Sequence, residues 1–67
     1  MKQVTVFYGL GQPKNHSVRY VAVSSSDLDS RQLRKVGDIY VSREILGEIG
    51  ATDKDVIVVT YSKEDEK

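Results

Sequence analysis

Residues 37–61 read GDIYVSREILGEIGATDKDVIVVTY, and the fold turns on how that stretch divides. Asp38 to Val41 alternates polar and apolar side chains, the pattern of a short strand. Ser42 suits a helix N-cap, because its hydroxyl can accept a backbone N–H from the first turn, and Glu44 puts negative charge there. Val41, Ile45, Leu46 and Ile49 share one helical face, while Arg43, Glu44, Gly47 and Glu48 share the other. This predicts an amphipathic helix of two turns. Gly47 in its interior costs about 1 kcal/mol relative to alanine, and Gly50 closes it as a left-handed cap. Ala51 to Asp55 reads as a polar turn. Val56-Ile57-Val58-Val59 is an apolar run without alternation, so it predicts a strand covered on both faces. One two-turn helix covers a single face. The inference is a second copy of the chain, an interlocked homodimer, in which Val58→Asp abolishes folding or association.

Working outward, residues 3–8 (QVTVFY) alternate as a strand, with Val4, Val6 and Tyr8 on one side. Gly9-Leu10-Gly11-Gln12-Pro13 is expected to stop it, with a loop running on through His16. That Gly-x-Gly leads toward another strand and not into a helix, which argues against a phosphate cradle. Val18 to Val23 is the second strand. Ser24 to Ser30 breaks the periodicity and offers several N-caps, and the spacing of Leu28, Gln32 and Val36 suggests a short helix ending at Gly37. The expected fold is therefore α+β, mainly β: one small four-stranded domain over residues 1–62 with one or two short helices. Residues 63–67 are expected to form a charged, disordered tail.

The chain has 67 residues, no cysteine and one histidine. A domain of this size buries only about 60% of the surface its unfolded chain exposes. Disulfides and thiolate metal sites are excluded, and His16 cannot build a zinc site by itself. Self-association is the remaining common source of stability. MKQVTVFYG holds no long apolar run and no cleavage signal, so the expectation is a cytoplasmic protein without a membrane span. Ten basic and ten acidic residues cancel overall. Locally they do not, since Arg31, Arg34, Lys35 and Arg43 fall within a short span.

The order Tyr40-Val41-Ser42, Arg43-Glu44-Ile45-Leu46, Ile49-Gly50, Lys54-Asp55 and Val56 to Tyr61 resembles the AbrB-type swapped-hairpin domain of bacterial transition-state regulators and MazE-like antitoxins. Ser42 stands where that family has proline, and Asp38 where it has an arginine that contacts DNA. The resemblance implies a homodimeric, sequence-specific DNA-binding regulator or antitoxin, with DNA as a partner and, for an antitoxin, a toxin protein as well. Arg31, Arg34, Lys35 and Arg43 are the candidate DNA contacts, arginine reading guanine edges and lysine holding phosphate.

A second reading is a small protein-binding module or a phage- or plasmid-type inhibitor that covers a partner protein's surface. Tyr8, Tyr20, Tyr40 and Tyr61 are residues that serve interfaces well, and an exposed first strand could add to another sheet. Ser24 to Ser26, His16 and Asp27 hold the residue types of a nucleophile triad, but their spacing sets no base beside a nucleophile. An enzyme is not expected, and neither a cofactor nor a metal is implied.

Overall fold

The computed structural model describes residues 3–64. Four strands and two short helices follow in the order β1 (Gln3–Pro13), β2 (Ser17–Ser25), α1 (Ser30–Leu33), β3 (Asp38–Ser42), α2 (Arg43–Ile49) and β4 (Ile57–Ser62). All pairings are antiparallel, and the sheet order is β3-β2-β1-β4. The fold is thus α+β and mainly β, with a curled sheet. Of the expected tail, Lys63 and Glu64 are exposed and 65–67 lie outside the described residues.

The first strand runs on to Pro13, through the glycines expected to stop it. It does so by bulging. Leu10 and Gly11 together oppose Tyr20, with Leu10 at φ 55°, and on the partner strand Val23 is the extra residue between Ala22 and Ser24. Each bulge absorbs one residue and sharpens the local twist. The connection to β2 shrinks to Lys14-Asn15-His16, closed by Lys14 N–H donating to the Ser17 carbonyl at 2.7 Å. The β1–β2 hairpin then occupies the middle of the sheet. The first strand is therefore no free edge, and the edges are β3 and β4.

Both helices cover the same face. Val6, Tyr8, Val18, Tyr20, Leu46 and Ile57 form the buried core, and Leu28, Leu33, Val36, Ile39, Val41, Ala51 and Val59 pack around it. Asp29 caps α1, accepting from Gln32 N–H while the Gln32 side chain accepts from Asp29 N–H, so Gln32 serves the cap and Leu33 the packing. The helix stops at Leu33 with Arg34 as a right-handed C-cap, four residues short of the expected terminator, and Gly37 at φ 82° instead closes the turn that leads into β3. Ser42 caps α2 and Gly50, at φ 71°, ends it. Of the apolar positions assigned to that helix, Leu46 alone is buried, while Ile45 and Ile49 face solvent. The least extent of the molecule, 16 Å, fits one sheet and one helical layer.

Val58 is 57% exposed on the bare side of the sheet, so the chain covers its most apolar strand on one face only. Val58→Asp should therefore leave the single chain folded at a loss of about 1 kcal/mol, the span of strand propensity. Gly11 behaves differently, since a Cβ there would lie 3.0 Å from the Asp53 Cα and carbonyl carbon and nearer still to its oxygen. Gly11→Ala must push the 51–56 loop off β1 and should lose about 2 kcal/mol in urea denaturation, within the range for overpacking.

Candidate functional site

The four basic residues expected to contact DNA do not meet. Arg31 lies in α1, Arg34 caps its C-terminal end and Lys35 follows in the turn, all at the end of the sheet where β2 gives way to β3. Arg43 opens α2 beyond the far end of β3, a five-residue strand that separates the groups by about 16 Å. Arg43 is also engaged: its guanidinium donates to the Lys14 carbonyl at 2.7 Å and its backbone N–H to the His16 carbonyl. It ties the hairpin tip to α2. Arg31, Arg34 and Lys35 make no side-chain hydrogen bond or ion pair among the described residues. The neighbouring acids are occupied otherwise, Asp29 by the helix cap and Asp27 by Thr5 N–H at 2.7 Å. Arg19, absent from the expected set, forms an ion pair with Asp38 and reaches the Gln12 side chain.

The residues of a nucleophile triad are likewise scattered. His16 sits at the hairpin tip, and Ser24 to Asp27 begin at the other end of β2, about 26 Å away along the strand. The Ser25 hydroxyl donates to the Thr5 carbonyl and accepts from Asp27 and Leu28 N–H. The serine-rich turn thus pins the approach to α1 onto β1.

The tyrosines divide into two roles. Tyr8 and Tyr20 are fully buried, the former joined through its hydroxyl to that of Tyr61 and the latter donating to the Thr52 carbonyl at 3.0 Å. Tyr40 is 63% exposed and Tyr61 43%. Two of the four remain available to a partner.

What the structure does bring together is apolar. On the bare face Phe7 pairs with Val58, and both Val23 and Val56 reach Gly9. Val21 is the cross-strand partner of Gly9, and Tyr40 pairs with Arg19 at one margin. Antiparallel sheets that face water usually alternate apolar-in with polar-out. This one presents Phe7, Val21, Val23, Val56 and Val58 instead. Leu10 adds to the anomaly, being 74% exposed and held at φ 55°, where glycine or asparagine is the local preference. An exposed leucine held in that conformation gains nothing for the core. A shallow cleft of about 240 Å³ lies on the opposite side, lined by Val18, Arg43, Leu46, Gly47, Ala51, Thr52 and Asp53. Among the described residues no helix is long and apolar enough to cross a membrane.

No family model matches the chain, and neither does any curated protein or solved structure.

Burial raises the Tyr8 hydroxyl above the ordinary tyrosine value, reinforced by the hydrogen bond and charge of Tyr61. Burial also raises Tyr20, with the Asp53 and Asp55 carboxylates adding to the effect. The unfolded chain ionises these hydroxyls near pH 10, and the folded chain resists doing so. Stability should hold up to about pH 10 and fall as the pH rises further. Urea midpoints between pH 8 and 11.5 check this, and Tyr8→Phe should shallow the alkaline fall.

Proposed function

We propose that this chain is a protein-binding module whose contact surface is the bare sheet face centred on Phe7, Val23 and Val58. One observation carries the reading: a small domain with both helices on one side leaves a contiguous apolar strip on the other. Such patches mark interaction sites. Zero net charge suits a partner selected by apolar shape. Leu10 supports the same reading, because strain at an exposed position is explained by what the side chain contacts. The partner is a protein with its own apolar patch, a class that includes a toxin held by its inhibitor.

DNA binding is a second reading, favoured by the closely spaced cations Arg31, Arg34 and Lys35, which have no side-chain partner among the described residues. The two differ in salt response, since contacts to phosphate weaken steeply with ionic strength and an apolar interface does not.

Pull-downs from the source cells at 0.1 and 0.5 M salt, as about low and high ionic strength, separate them. The protein reading expects one stoichiometric partner retained at both, lost with Val58→Lys and kept when Arg34 and Lys35 are both alanine. Retention of nucleic acid at low salt alone, lost with the alanine pair and indifferent to Val58→Lys, would reverse the order. Leu10→Asn gives an independent check. It should raise stability by up to about 1 kcal/mol, because asparagine tolerates the left-handed region, while weakening partner binding severalfold.

A further inference from the structure

The two edges of the sheet are not equivalent. β3 has five residues, opens on Asp38 and runs directly into α2. β4 has six, IVVTYS, with neither proline nor a charged residue among them. Natural edge strands are usually guarded by charge, proline, bulges or brevity. β4 carries none of these, and its outward backbone N–H and C=O groups face away from β1.

The charges lie just beyond it: Lys54-Asp55 before and Lys63-Glu64 after. We infer that β4 pairs antiparallel with β4 of a second copy about a two-fold axis at Val59, joining two four-stranded sheets into one. In that register Ile57 opposes Tyr61 of the other copy and Val58 opposes Thr60, giving aromatic–β-branched and β-branched pairs on the two faces. The Lys54-Asp55 turn of each copy then meets Lys63-Glu64 of the other, lysine beside carboxylate at both ends. An in-register parallel pairing would set lysine beside lysine and aspartate beside aspartate.

The pairing continues the bare face across both copies, so the apolar strip doubles in length on one side. It differs from an interlocked dimer, because each core stays within its own chain. An edge contact of six residues is small, and the association is correspondingly weak and concentration-dependent. It needs no other partner and stands apart from the protein-binding reading.

The test is sedimentation equilibrium of the full chain across micromolar to millimolar concentrations, with hydrogen exchange of the β4 amides in parallel. Wild type should dimerise, and the β4 amides that do not bond β1 should gain protection as concentration rises. Lys54→Glu or Glu64→Lys should each weaken dimerisation severalfold, and the double exchange should restore it to within about twofold, as for paired surface charges. Both side chains are exposed and neither makes a hydrogen bond or ion pair among the described residues, so monomer stability should stay unchanged. A monomer at the highest concentration overturns the inference, as does a double exchange no better than the singles. Loss of the dimer with Val23→Lys but not with the charge variants would put the second copy on the bare face, and overturns it equally.

Discussion

The β1–β2 hairpin, with Tyr8 and Tyr20 on its covered face, is the constraint to which everything else in the molecule conforms. Both rings are buried, so both hydroxyls need partners, because an unpaired polar group in an apolar core loses its hydration without return. The partners come from distant parts of the chain: Tyr61 on β4 for one, the Thr52 carbonyl after α2 for the other. Satisfying them draws β4 against β1 and lays the 51–56 loop over the bulge at Gly11. The absence of a side chain at Gly11 is what lets that loop come so close.

Once the hairpin holds the centre, β3 and β4 can only be edges, and α2, which joins them, must cross one face of the sheet. Ser25 and Asp27 bring the approach to α1 back onto β1, so α1 reaches that same face. One side is closed by two short helices and the other is left to solvent or a partner. The exposed Phe7–Val58 strip is thus a consequence of topology. Among the described residues there is no third layer to cover it.

The same arrangement decides the charge distribution. α1 and the start of α2 lie at opposite ends of β3, which parts the basic residues that look clustered along the chain. Arg43 is taken up in holding the hairpin tip, whereas among the described residues Arg31, Arg34 and Lys35 have no side-chain partner, the nearby acids capping a helix or bonding β1. Proximity in sequence measured only the length of the connection. In space the apolar strip is the more contiguous surface, and it assembles residues from three strands.

Local features were legible in the residues themselves. Strand alternation, the Ser42 cap and the Gly50 terminator depend on neighbours a few positions away, and they occur where the sequence places them, whereas the helix expected to reach Gly37 is a single turn, Ser30–Leu33. Less legible were the bulges, since a glycine pair that usually ends a strand bends it here once β2 supplies a partner. The buried share of α2 was also hidden: Ile45 and Ile49 have the right periodicity, but only Leu46 lies in the core. Periodicity says which residues share a face, and the number and order of layers says whether anything lies against it. The sequence by itself determined the elements and their caps. Only the tertiary structure, by fixing strand order around the central hairpin, decided which apolar residues became core and which became surface.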